Sequence, residues 1–144
     1  MLPERLDGLR VLELGCGLGL PSLVAAARGA EVTAVDWARD AVDLLRRNAV
    51  RNGLALACEV HDWRRPLPGR FDLALAADVL YERRNVEPVL ARLREAAPEA
   101  LVGLAGRSYE AEFLRLAGAV EDVAERVIRV RGRTRAGRPA RPGA

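Results

Sequence analysis

The sequence has no lysine, and all 23 of its basic residues are arginine. A phosphate-binding loop of the Gly-Lys-Ser or Gly-Lys-Thr kind is therefore excluded, because the side chain that reaches a nucleotide's phosphates is missing. Cysteine is scarce as well: Cys16 and Cys58 stand far apart. Without the close spacing of zinc ligands they read as reduced thiols, so neither a metal centre nor a disulfide is expected. No apolar run approaches the roughly 18 residues of a membrane helix, and the opening MLPERLDGLR has no apolar signal core. Cytoplasmic location without a membrane partner is the resulting expectation. Acid is absent from the end of the chain, where nothing after Glu125 is acidic while Arg129, Arg131, Arg133, Arg135, Arg138 and Arg141 follow. What is present is an ordinary globular balance, 50% hydrophobic and 30% charged, over the 144 residues of one domain.

Short β-rich runs alternate with helical periodicity. Strands are expected at 11–15, 31–37, 55–63, 71–81, 100–106 and about 120–130, and helices at 20–28, 38–53, 85–98 and 108–118. In the second helix Ala41, Leu44, Leu45 and Val50 fall near one face, and Gly53 is the stop. Such alternation predicts an α/β fold, a Rossmann-like doubly wound, mostly parallel sheet of six or seven strands. The domain is expected over residues 1–130, with 131–144 an arginine-rich tail without apolar alternation. Sheets of this kind bind ligands at the carboxyl ends of their strands, which here carry Asp36, Asp62 and Asp78.

The first strand runs into VLELGCGLGL, with glycines at 15, 17 and 19. A dinucleotide turn needs G-x-G-x-x-G, and counted from Gly15 its third glycine would fall at Leu20. The pattern that remains is E-x-G-x-G-x-G. A carboxylate at Glu13 would repel a pyrophosphate and attract an amine with a sulfonium cation, which points to S-adenosylmethionine (product S-adenosylhomocysteine). Gly15, Gly17 and Gly19 would let that donor approach the backbone closely. Asp36 is placed to accept from both ribose hydroxyls, and Trp37 to lie against the adenine.

Taken together, VLELGCGLGLPSL, VTAVDW, RRNAVRNG, HDW and ADVLY resemble the seven-stranded class I methyltransferases. Within them the chain is similar to the protein-lysine group with an Asp/Glu-x-x-Tyr/Phe motif after strand four, in the branch of the electron-transfer flavoprotein β-subunit lysine methyltransferase. The resemblance covers roughly residues 9 to 128 and implies a methyltransferase acting on a protein lysine. It implies that Asp78 and Tyr81 flank the acceptor, that Ala77 lines the donor methyl's surroundings, and that Asp62 and Trp63 stand at the adenine end. Cys16, inside the turn, counts among the donor-binding positions. His61, the one histidine, is read as structural.

Three departures from the family follow. Only about ten residues precede Val11, where relatives carry a segment covering the donor. After strand five the chain reads GLAGR, 103–107, where that branch reads Gly-Asp-Pro-Gly-Arg. The seventh strand has only the arginine-rich end to represent it, so an irregular last strand is expected. Two other readings stay open, a donor-binding protein without turnover and an RNA or small-molecule methyltransferase. The tail has no aromatic platform for bases, so a protein substrate is expected over nucleic acid. An open edge beside strand five would favour a homo-oligomer.

Overall fold

The computed structural model describes residues 2–67 and 69–132. In chain order the elements are β1 (Arg10–Leu14), α1 (Leu20–Ala27), β2 (Glu31–Asp36), α2 (Arg39–Arg51), β3 (Ala57–Val60) and β4 (Leu73–Ala77). A 3-10 turn at Arg83–Asn85 leads into α3 (Val86–Ala96), followed by β5 (Glu99–Gly103), α4 (Glu110–Ala117), β6 (Val120–Ala124) and β7 (Val127–Arg131). The strands make one seven-stranded sheet in the order β3-β2-β1-β4-β5-β7-β6. β1 to β5 are parallel, and β7 returns antiparallel between β5 and β6. This is the doubly wound α/β architecture that the alternation predicts.

β1 is buried from Val11 through Leu14, as a central parallel strand covered on both faces must be. Leu12 and Leu14 pack with Ala74, Val102, Val89 and Leu93 toward α3, while Val11 packs with Ala25 and Val32 toward α1. Strand alternation puts Glu13 on the same side as Val11. On α2 the buried line is Val42, Leu45 and Ala49 at helical spacing, and Val50 is 79% exposed. The expected face was therefore rotated: Val50 lies one residue, about 100° of turn, beyond Ala49.

The largest correction concerns the end of the sheet. The single strand expected at about 120–130 is a hairpin that turns at Glu125–Arg126, with Arg126 in the left-handed region at φ 58. No glycine, proline or asparagine marks this turn, which is why the residues read through as one strand. β7 pairs with β5 in unbroken register from Val127 to Arg131, with Ile128 and Val130 buried, while its pairing with β6 shifts register between Asp122 and Ala124; the last strand is thus not left to the tail. It also fills the edge beside β5, and the argument for self-association at that edge falls. β7 runs one residue past the expected domain end at 130, and residues 133–144 of the tail lie outside the described residues.

The β1–α1 turn is bolted to the sheet. Gly15 and Cys16 donate their backbone N–H groups to the Val35 carbonyl at 2.8 and 3.0 Å. Gly15 has φ 74, and a Cβ there would stand 2.6 Å from Val79 Cγ1 and 3.3 Å from Trp63 Cζ3. Gly19 has φ 79, and a Cβ there would run into the Leu45 side chain. Gly17, at φ 48, faces open space. Gly19→Ala is thus expected to cost about 2–4 kcal/mol, from left-handed strain plus overpacking. Gly17→Ala should cost only the strain, about 1–2 kcal/mol. Urea unfolding of the two variants checks this, and equal losses would contradict the packing described.

Candidate functional site

The carboxyl ends of β1, β2 and β4 bring most of the sequence-predicted residues to one rim. Glu13 lies beneath the glycine turn, 1% exposed. Its Oε2 accepts from the Ser22 backbone N–H at 3.0 Å and from the Ser22 hydroxyl. Ser22, fully buried in the first turn of α1, thus joins the carboxyl group to the helix start. Burial pushes the Glu13 carboxyl up to about 7, partly offset by the Ser22 bonds; the Asp36 charge adds to the rise. Asp36, 7% exposed, accepts from Gly17 N–H at Oδ2 (3.0 Å) and from Ala38 N–H at Oδ1 (2.9 Å). One carboxylate therefore fixes both the middle of the glycine turn and the entry to α2. Cys16 is buried, and desolvation, with the Asp36 and Glu13 charges behind it, pushes its thiol up to about 12. It packs with Ala34 and Leu45, and it stays a neutral thiol at physiological pH.

The aromatic residues divide. Trp37 is 55% and Tyr81 43% exposed, and the indole Nε1–H donates to the Tyr81 hydroxyl at 3.3 Å. The bond joins the exits of β2 and β4, which flank β1 on either side. Trp63 is 4% exposed and belongs to the main core cluster, where its ring backs Gly15. The resemblance placed Trp63 at the adenine end, and in the structure its indole is turned into the core. Its ring supports the turn from below because the chain after β3 folds inward over the core. Leu18 and Leu20, beside the turn, are 69% and 68% exposed.

Two acids at the rim are already partnered. Asp62 takes the Arg64 guanidinium across both oxygens (Nε at 2.9 and 3.0 Å, Nη2 at 2.6 Å) and the Arg64 backbone N–H. The Arg64 bonds hold its carboxyl down at about 2. Its carboxylate, which the resemblance placed at the adenine end, thus faces an arginine two residues away. Asp78, in the left-handed region at φ 54, is bridged by Arg107 with Nε–Oδ1 and Nη2–Oδ2 both at 2.6 Å. That hydrogen-bonded pairing holds the Asp78 carboxyl below its ordinary value. Ala77, exposed at the end of β4, lies beside Gly103. His61 is half-buried, its Nε2 3.3 Å from the Arg65 carbonyl oxygen, and its backbone N–H donates to the Asp36 carbonyl at 2.8 Å.

Arg107, Glu110 and Ser22 are site residues that sequence reasoning did not single out. Glu110 Oε1 accepts the backbone N–H groups of Ala105, Gly106 and Arg107 at 2.7, 2.8 and 3.0 Å, which fixes the β5–α4 loop. A signal was present in the acid opening α4 just after GLAGR, and in a lone serine within an apolar first turn. A cavity of about 590 Å³ lies elsewhere, against α3 at Arg70, Glu87, Leu90, Arg94 and Leu116. Among the described residues no cluster of histidine, cysteine and acids could hold a metal ion, and no helix is long and apolar enough to cross a membrane.

A family model described as "Methyltransferase domain" matches residues 11–98. The magnesium-protoporphyrin O-methyltransferase of Rhodobacter capsulatus is 35% identical over 70% of this chain and 46% of its own length. The EEF1A lysine methyltransferase 3 of Mus musculus is 30% identical over 84% of this chain and 52% of its own. The chain therefore spans about half the length of these two relatives. In fold it is similar to the magnesium protoporphyrin IX methyltransferase from Synechocystis, solved with bound SAM, at a TM-score of 0.71 and 21% identity over 88% of this chain and 71% of that one. A glycine turn clamped between two buried acids, a seven-stranded sheet with an antiparallel β7 and a family match over more than half the residues lead to one conclusion: the chain belongs to the class I S-adenosylmethionine-dependent methyltransferases.

Proposed function

We propose that the chain binds S-adenosylmethionine on the glycine turn and transfers its methyl group to a lysine side chain of a protein substrate. The observation that carries this reading is the placement of Asp78 and Tyr81 at the exit of β4, next to the turn at the end of β1. The donor site fits the ligand. The space over Gly17 is open, and Asp36 spends one acceptor position of each oxygen on a backbone N–H, leaving one on each for a ribose hydroxyl. The exposed Trp37 indole offers an apolar face for adenine. Glu13 supplies negative charge below the turn, where the amine and sulfonium of the donor come to rest.

When bound, the donor supplies an electrophilic methyl carbon, so the chain's own task is to orient the acceptor and keep water out. A lysine amine, with an ordinary pKa of about 10.4, must be neutral to act as nucleophile. Asp78 accepts an N–H from it, and Tyr81 offers a hydroxyl or a ring face. A second reading is transfer to an oxygen of a small-molecule acceptor. The magnesium-protoporphyrin relative bears the name of an O-methyltransferase.

Glu13 gives a prediction whose sign is fixed by its environment. A carboxyl raised from 4.5 to about 7 resists ionising in the folded state. Stability therefore declines as pH rises from about 4.5 to 7 and then levels, a loss of about 3 kcal/mol. Glu13→Gln should unfold at higher denaturant than the parent at pH 8, and the two should converge below about pH 4.5. The same substitution should weaken donor binding at pH 8. For Asp36→Ala, calorimetry should show S-adenosylhomocysteine bound at least about tenfold more weakly, the loss of charged hydrogen bonds being worth over 1 kcal/mol; unchanged affinity would sink the ribose role. The decisive experiment is transfer from labelled donor in a cell extract. Methyl-lysine in the protein hydrolysate supports the proposal, and base-labile label in small molecules supports the oxygen reading. Nuclease-sensitive label indicates RNA, and bound donor without any label indicates binding without turnover.

A further inference from the structure

On the lysine reading the acceptor site contains a contradiction, and Arg107 resolves it. An isolated carboxylate at Asp78 would hold the incoming amine as its ammonium ion, the form that has no lone pair to give. In the structure Asp78 is not isolated. Arg107 Nε and Nη2 reach its two oxygens at 2.6 Å each, a two-pronged bridge of the geometry that suits guanidinium and carboxylate best. Both backbones beneath the bridge are fixed. The Asp78 N–H donates to the Gly103 carbonyl at 3.1 Å, and the three amides leading to Arg107 are gathered on Glu110 Oε1.

We propose that Arg107 is a positioning residue of the acceptor site, which cancels the pull of Asp78 on an incoming ammonium and leaves its oxygens to accept an N–H from the neutral amine. This rests on the lysine reading above. Each Asp78 oxygen keeps an acceptor position after the bridge forms. The surrounding charges do not undo the effect. Glu110 is turned onto backbone amides, and Glu112 of α4 pairs with Arg83 at 3.0 Å. Arg126 lies against Gly106 and has no acid partner among the described residues; Tyr81 adds a hydroxyl. In the transfer itself the ammonium first loses its proton to water. The nitrogen lone pair then forms the N–C bond as the C–S bond breaks, its electron pair remaining on sulfur.

The pair is about half exposed at both ends, 48% for Arg107 and 44% for Asp78, so solvent keeps the expected effect to a few-fold. The test starts without any acceptor protein. n-Butylammonium, a minimal lysine side chain, is titrated at pH 7 while the Asp78 carboxyl carbon is followed by NMR. Arg107→Gln should bind it a few-fold more tightly than the parent, Arg107→Lys should behave as the parent, and Asp78→Asn combined with Arg107→Gln should lose the gain. Unchanged or weaker binding by Arg107→Gln, with its thermal midpoint intact, overturns the proposal. Methyl transfer to n-butylamine from labelled donor, followed against pH, adds a readout that a merely structural residue would not move. The acid limb of kcat, which reports the bound amine, should shift upward by about half a unit in Arg107→Gln; superimposable kcat profiles count against the role. Failure of the lysine reading shows separately, as base-labile or nuclease-sensitive label in the extract experiment, and leaves the n-butylammonium titration as it stands.

Discussion

A carboxyl group folded under a turn of its own chain is the constraint on which the site is built. Glu13 stands next to the last residue of β1, an inner strand of the sheet, and Ser22 meets it there with both backbone and side chain. The contact sets where the helix begins, and the intervening residues have only a short loop in which to join strand to helix. That loop is possible because Gly15 and Gly19 accept left-handed angles at points where neighbouring side chains leave no room for a Cβ. Asp36 closes the arrangement from the next strand by taking the Gly17 N–H. Burial makes the Glu13 charge costly to form, and a site that needs negative charge for a cationic ligand is accordingly poised near neutrality.

The rim shows a second regularity. Asp36 is spent on backbone amides, Asp62 on Arg64, and Asp78 on Arg107. A sequence reading sees these residues as acids at strand ends with ligands to find, whereas the folded chain has provisionally satisfied each of them. For Asp36 this does not compete with a ligand, because backbone N–H groups leave acceptor positions over. For Asp62 the arginine spans both oxygens from two residues away, and the acid faces its own chain.

Much of this architecture was legible in the residues. The alternation of apolar runs gave the sheet its first five strands, and the glycine spacing, read with Glu13 and Asp36, distinguished this turn from a dinucleotide turn. What escaped were features written in long-range contacts or without a local marker. Nothing near Trp63 shows whether its ring turns outward or backs Gly15, since either orientation can follow the end of β3. The bridge from Arg107 spans two loops that meet only after the sheet has formed. The hairpin at Glu125–Arg126 uses an arginine at a positive φ, where turn chemistry would have placed glycine or asparagine. The rotation of α2 was a matter of one residue: Val50 satisfies the apolar pattern in composition but not in angle.

The hydrogen bond between Trp37 and Tyr81 ties together the exits of β2 and β4, the two neighbours of β1. Any molecule that shifts the indole deprives the phenol of its donor, and any molecule that recruits the phenol releases the indole. Occupancy of one half of the cleft is thereby communicated to the other, and linkage requires that the influence be equal in both directions. A single pair of aromatic side chains thus couples the two halves without deciding which is filled first.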